Sequence, residues 1–282
     1  MATVAIIGAG DIGGACAQAL SAGDHVSHLF VIDTSAKAAS GKALDIQQSG
    51  AIVGFHTRLD GTDDASRATG CGVYVIADRF GAGSAEWQGE EALAMIKRLA
   101  PADADAPLVF AGVSHGELIS AAAREAYINR RRLIGSAPEA LAGAIAAIVA
   151  MEASCSPDEV SLAVLGTPPL SFVVPWSDAT IGGYAIERAL SQVQLTRIEA
   201  RAARLWPPGP YALGAAAARV TEAILDSSRR SCDVLTILDG EFGVRGRVGT
   251  VPALLASRGL VQTRVPSLNT RERVQLDNAF GV

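Results

Sequence analysis

The residues best spaced for chemistry come first in the chain. Gly8-Ala9-Gly10-Asp11-Ile12-Gly13 follows the apolar run Thr3–Ile7 and precedes a small, Ala-rich stretch, Gly14–Leu20. Between a strand and a helix, glycines at this spacing allow a tight turn, a close approach of backbone to pyrophosphate and close helix–strand packing. The helix start then offers free N–H groups to phosphate oxygens. Asp33 ends the next apolar run, 20 residues after Gly13. A carboxylate there accepts hydrogen bonds from the adenine ribose hydroxyls and repels a 2′-phosphate. Thr34-Ser35-Ala36 supplies no arginine, so the pattern favours NAD over NADP. Gly8, Gly10, Asp11, Ile12, Gly13 and Asp33 are therefore the cofactor-binding candidates, with Ala77 and Ser114 at the ends of later strands. The Asp11 carboxylate would repel pyrophosphate, so its side chain is expected to face solvent. The competing reading is a dinucleotide-type fold that binds nothing.

Other polar groups stand where open α/β sheets bind ligands, at the carboxyl ends of strands. Asp78 and Arg79 follow the apolar run 73–77, and Ser114, His115 and Glu117 follow 107–112. His115, Asp78 and Arg79 are the candidates for catalysis, with Glu117 able to orient His115. The plainer alternative has His115 capping the next helix and Asp78 paired with Arg79 on the surface. Glu139 stands at a helix start, where its charge suits the positive end of the helix or faces the site. Trp87 either covers a ligand or fills space.

These positions depend on an ordered series of elements. Apolar runs at 3–7, 29–33, 73–77 and 107–112 read as parallel strands buried on both faces, with helices expected at 14–20, 40–48 and 91–99. Alternating β and α units indicate an α/β doubly wound, Rossmann-type parallel sheet. The pattern changes near Gly135. An almost wholly apolar helix begins at Pro138-Glu139, and strands are expected near 159–165 and 170–176. One long helix over 186–206, an Ala-rich helix over 211–224, strands near 233–238, 247–256 and 260–265, and a last helix from Asn269 follow. The expected division is residues 1–137 as a dinucleotide-binding domain and 138–282 as an α+β domain.

Composition narrows the class. With 282 residues, 49% hydrophobic, the chain buries a sizeable core. A formal net charge of −5 argues against a nucleic-acid partner, and Arg130-Arg131-Arg132 reads as a solvated loop. Cys16, Cys71, Cys155 and Cys232 are isolated, with no histidine at metal-ligand spacing, so free thiols in the cytoplasm and no metal are expected. The first strand starts too early to leave room for a signal peptide. The apolar run 140–151 is too short to span a bilayer.

At this level of detail the chain resembles the lactate/malate dehydrogenase family, and most closely its malate dehydrogenases. The likeness lies in VAIIGAGDIGG (4–14), GKALDIQQS (41–49), LDGTDDASRATGCGVYVIA (59–77), GEFGVRGRVGTVPALLASRGL (240–260) and LNTRERVQLDNAF (268–280). The resemblance implies a Rossmann domain followed by a substrate domain, NAD as cofactor, and a homodimer or homotetramer. It also implies hydride chemistry on a hydroxy acid, with four kinds of group: a histidine paired with an aspartate, an arginine fork for the substrate carboxylate, arginines on a mobile loop, and an asparagine near the nicotinamide.

The positions that carry this chemistry differ here. The family's His-Gly-Asp falls on Pro168-Pro169-Leu170. Its paired aspartate falls on Leu141 and its substrate arginine on Ala144. Thr-Asn-Pro falls on Val113-Ser114-His115, and Thr-Ala-Gly on Ile76-Ala77-Asp78. The mobile loop shortens to about 79–88, with Arg79 its one arginine. Independently of any alignment, the four histidines are His25, His28, His56 and His115, so residues 138–282 contain none. The replacements are consistent as a set, because removing the histidine and arginine alone would strand a buried aspartate. The expected function is an NAD(H)-binding oxidoreductase homologue, not competent for ordinary malate or lactate oxidation, with a small-molecule substrate of unknown identity. The alternative is a non-catalytic NAD-binding sensor or assembly subunit, and ordinary malate dehydrogenase activity is the third reading.

Overall fold

A computed structural model describes residues 2–81, 85–99, 105–168, 171–228 and 230–281. Six parallel strands form its first half: β1 (Ala2–Ile7), β2 (Val26–Ile32), β3 (Arg58–Thr62), β4 (Val73–Ile76), β5 (Leu108–Phe110) and β6 (Leu133–Gly135). They lie in the order β3-β2-β1-β4-β5-β6, the doubly wound order in which the chain reverses direction at β1/β4. The crossovers are α1 (Asp11–Ala22), α2 (Ala36–Val53), α3 (Gly89–Leu99) and α4 (Gly116–Glu125). All four residues of β4 are buried, as are Val4–Ile7 of β1, which is why these strands read as unbroken apolar runs.

The helix α1 begins at Asp11, earlier than its apolar stretch suggested, because the glycine turn itself is its first turn. Its small face packs directly on a later helix, α8 (Pro210–Leu225). A Cβ on Gly214 would lie 2.5 Å from the Ala15 Cβ and 2.7 Å from the Cys16 nitrogen.

The second half begins with α5 (Ala137–Ala153) and continues through short strands, β7 (Val160–Ser161), β8 (Leu165–Thr167), β9 (Ser171–Val173), β10 (Thr180–Ile181) and β11 (Tyr184–Ala185). The expected strands near 159–165 and 170–176 are thus shorter and split differently. The expected long helix over 186–206 is two, α6 (Ile186–Ala189) and α7 (Gln192–Ala202). Leu190 is extended between them. The Ser191 hydroxyl accepts from the Gln194 N–H while the Gln194 side chain accepts from the Ser191 N–H, a reciprocal cap that starts a new helix. The strands β12 (Ser231–Asp239), β13 (Arg245–Ala256) and β14 (Gly259–Thr263) and the final α9 (Thr270–Phe280) complete the chain.

Strands β12, β13, β8 and β9 extend the first sheet antiparallel, joined to it where Leu235 pairs with Gly135. The run Arg130-Arg131-Arg132 is a 3-10 turn rather than a solvated loop. Arg130 donates to the Ile237 carbonyl at 2.7 Å and pairs with Glu241 at 3.2 Å, and Arg132 donates to the Ala106 carbonyl. All four cysteines are free, and Cys16, Cys71 and Cys232 are buried. Among the described residues no helix is long and apolar enough to cross a membrane.

Candidate functional site

The glycine turn sits between β1 and α1 at the carboxyl edge of the sheet, beside the end of β4. Gly8 has φ +120°, and a Cβ on it would lie 2.2 Å from the Asp78 carbonyl oxygen. The Gly10 N–H donates to that same carbonyl at 3.0 Å. The start of α1 is filled from the same residue. The N–H groups of Asp11 and Ile12 donate to Asp78 Oδ2 at 2.8 and 3.2 Å, and that of Gly13 donates to Oδ1 at 2.9 Å. A Cβ on Gly10 would lie 2.4 Å from the Asp78 carboxyl carbon. Asp78 is fully buried. Burial pushes its carboxyl upward from the usual range, against the pull of the three N–H groups. The Asp11 side chain is exposed, as its charge requires.

Asp33 is also buried and engaged. Its carboxylate accepts from the N–H groups of Ala9 at 2.9 Å, Ser35 at 3.1 Å and Phe80 at 2.9 Å, and from the Thr34 hydroxyl at 3.3 Å. It therefore ties the glycine turn to the start of α2 and to the segment after β4. Ala77, fully buried, donates its N–H to the Ile7 carbonyl at 2.9 Å.

A third carboxylate, Glu86, closes the far side of the crevice, and its role was not legible in the sequence. It accepts from the N–H groups of Val113 at 2.8 Å and Ser114 at 2.9 Å, and from the Ser114 hydroxyl. A Cβ on Gly112 would lie 2.4 Å from the Glu86 carboxylate. Residue 86 also bridges antiparallel to residue 78, while Trp87 donates its N–H to the Ala77 carbonyl at 3.1 Å.

The catalytic candidates are in structural use. His115 stands at the start of α4 without a side-chain cap. Its ring is fully buried, edge-on to Phe110, and Nδ1 accepts from the Gly112 N–H at 3.0 Å. The ring proton therefore sits on Nε2, which lacks a hydrogen-bond partner and lies 4.0 Å from Glu86 Oε2. The carboxylate beside His115 is thus Glu86, while Glu117 is exposed on α4. Arg79 pairs with Glu91 at 2.7 Å and lies over the Trp87 ring at 4.9 Å. Trp87 is buried and fills the space under this segment.

Burial lowers the His115 pKa from 6.5 to about 4, partly opposed by the Glu86 charge. The unfolded chain binds this proton near pH 6.5, and the folded chain refuses it until about pH 4. Stability from this group is present above pH 6.5 and is lost as pH falls through that window, on the order of 3 kcal/mol in full. In His115→Asn, whose side-chain oxygen can still accept from Gly112, the stability measured by urea unfolding between pH 7 and 4.5 should fall less steeply than in the parent. Parallel curves for the two would contradict this.

The positions that the resemblance sets against the family's substrate groups lie mostly on α5. Leu141 is fully buried against Ile145, Val149 and Ile198, and Ala144 is half-buried. Pro168 follows β8; Pro169 and Leu170 lie outside the described residues. On another face of α5, Glu139 pairs with Arg219 at 3.0 Å and accepts from the Asp233 N–H at 2.7 Å. Asp233 accepts from the Val164 N–H at 2.9 Å. Burial and the neighbouring Glu139 hold the Asp233 carboxyl well above the usual range. These three side chains border a groove of about 840 Å³.

A dinucleotide-type sheet with its glycine turn at the strand reversal defines a nucleotide-binding fold class. Residues 2–101 match the NAD binding domain of lactate/malate dehydrogenase. The malate dehydrogenase of Thioalkalivibrio sulfidiphilus is 29% identical, over 99% of this chain and 96% of its own length. A malate dehydrogenase of Dehalococcoides mccartyi is 27% identical, over 98% and 95%. The solved malate dehydrogenase of Salinibacter ruber superposes with a TM-score of 0.87 at 24% identity, over 99% of this chain and 94% of that one. The first third of the chain is thus similar to the NAD binding domain of the lactate/malate dehydrogenases, and the whole chain is similar in sequence to malate dehydrogenases.

NAD is the cofactor that the matching domain and these relatives indicate. The glycine turn, and a carboxylate at the end of β2 in Asp33, are in keeping with it. The pyrophosphate seat does not, as it stands: the three N–H groups at the start of α1 already donate to Asp78.

Proposed function

We propose that this chain keeps the architecture of the lactate/malate dehydrogenases without their oxidation of malate or lactate. What carries the reading is the face of α5, where a buried Leu141 and Ala144 stand in place of a carboxylate and a guanidinium, in a chain with no histidine after residue 115. A general base contributes ~10²–10⁴-fold to such a reaction, and a hydrogen bond to a charged group about 1.5–3 kcal/mol. Without both, neither proton removal nor carboxylate binding has a residue to perform it. Between a dehydrogenase for a more apolar substrate and a non-catalytic binding protein, the engagement of His115, Asp78 and Arg79 favours the second.

The division falls at residues 137/138, in the first turn of α5. The protein is cytoplasmic, consistent with four free cysteines. It forms a homodimer or homotetramer, in line with Leu44, Ile52 and Val53 exposed along α2.

Oxaloacetate and pyruvate reduction, followed by loss of NADH absorbance, tests the proposal. No rate above the protein-free control is expected for either substrate. Saturable reduction that disappears in Asp33→Arg would overturn it.

A further inference from the structure

Asp78 is held in an arrangement that a bound pyrophosphate would otherwise take. Both of its carboxylate oxygens face the first turn of α1, one receiving the Asp11 and Ile12 N–H groups and the other that of Gly13. Those three donors and the positive end of the helix are what a helix N-terminus offers to an anionic ligand. Gly10, the position at which backbone must approach a ligand closely, is approached instead by the Asp78 carboxylate, with no room for a Cβ.

The neighbouring contacts hold the carboxylate there. Phe80, two residues on, donates to Asp33, and Glu86 binds the Val113 and Ser114 N–H groups across the crevice. An anchored anion has no translational freedom to lose on binding, so it competes well against a free one.

We propose that Asp78 is an intramolecular occupant of the pyrophosphate seat, and that NAD(H) binds with its pyrophosphate at α1 only by displacing it. The dinucleotide-competent state is then a minor population, and apparent affinity is reduced by that fraction. The proposal concerns binding and is independent of whether hydroxy acids are turned over. The two fail separately, because its test contains no substrate.

NADH titration of the intact protein, read by energy transfer from tryptophan to the nicotinamide, compares the parent with Asp78→Gly and Asp78→Asn. The glycine variant should bind NADH about tenfold or more tightly than the parent. The asparagine, which keeps the size and one acceptor oxygen without the charge, should fall between them. Inorganic pyrophosphate should raise the unfolding temperature of Asp78→Gly and leave the parent unchanged. Equal or weaker NADH binding by the variants would overturn the proposal.

Should Asp78→Gly not fold, the parent alone decides. Amide resonances of Ile12 and Gly13 that stay unmoved by pyrophosphate support an occupied seat. Saturable shifts at micromolar pyrophosphate refute it.

Discussion

Asp33→Ala is expected to lose about 3 kcal/mol of folding stability, read as a lower midpoint in urea. The carboxylate accepts from three backbone N–H groups, on the glycine turn, at the start of α2 and after β4. The Ala9 donor is left buried when the acceptor goes, Ser35 and Phe80 are nearer to water, and a hydrogen bond to a charged group contributes about 1.5–3 kcal/mol. The three are not additive, because the segments can relax toward water once untied. Asp33→Asn keeps one acceptor oxygen and should lose roughly half as much. A loss below ~1 kcal/mol for the alanine variant would mean that Asp33 is poised for a ligand rather than used by the fold.

Gly13→Ala is the second large effect. A Cβ at this position would lie 2.0 Å from the Gly8 carbonyl oxygen, a backbone atom of the turn that cannot swing aside like a side chain. Either α1 moves off β1 or the turn opens, and overpacking of this kind costs about 3 kcal/mol. Displacing α1 also disturbs its packing on α8, where Gly214 leaves no slack. The unfolding temperature of Gly13→Ala should fall by roughly 5–10 °C. A parent-like midpoint would show that the third glycine serves only ligand approach.

The doubly wound class and four of the parallel strands were legible because buried strands are continuous apolar runs broken by glycine turns; β3 and β6 were not expected, since Arg58–Thr62 is half polar and Leu133–Gly135 is only three residues long. Asp33 was legible as the acid ending β2. Its partners were not, since Phe80 lies 47 positions away and meets it only when the sheet is assembled. Asp78 was visible as a polar residue at a strand end, but pairing with Arg79 looked as reasonable as any other use. Its match to α1 needs the register of β1 against β4, in which Ile7 pairs with Ile76. Glu86 gave no sequence signal, being one carboxylate in a short loop. The break at Leu190 did have one, Ser191 followed three residues later by Gln194, which amphipathic periodicity across the break obscured.

These features have one physical theme. Asp33, Asp78 and Glu86, three carboxylates at the crevice, each satisfy backbone donors of the fold. On the proposed reading, groups that a dehydrogenase would leave free for cofactor and substrate are here used by the fold.

The most direct measurement is of hydride transfer itself. The protein is incubated at high concentration with NADH deuterated at C4 and with excess oxaloacetate, and malate is examined by mass spectrometry for the label. Even one slow turnover per protein molecule is visible in this way. No labelled malate above the protein-free control is expected. Labelled malate in at least stoichiometric amount, absent with Asp33→Arg, would contradict it.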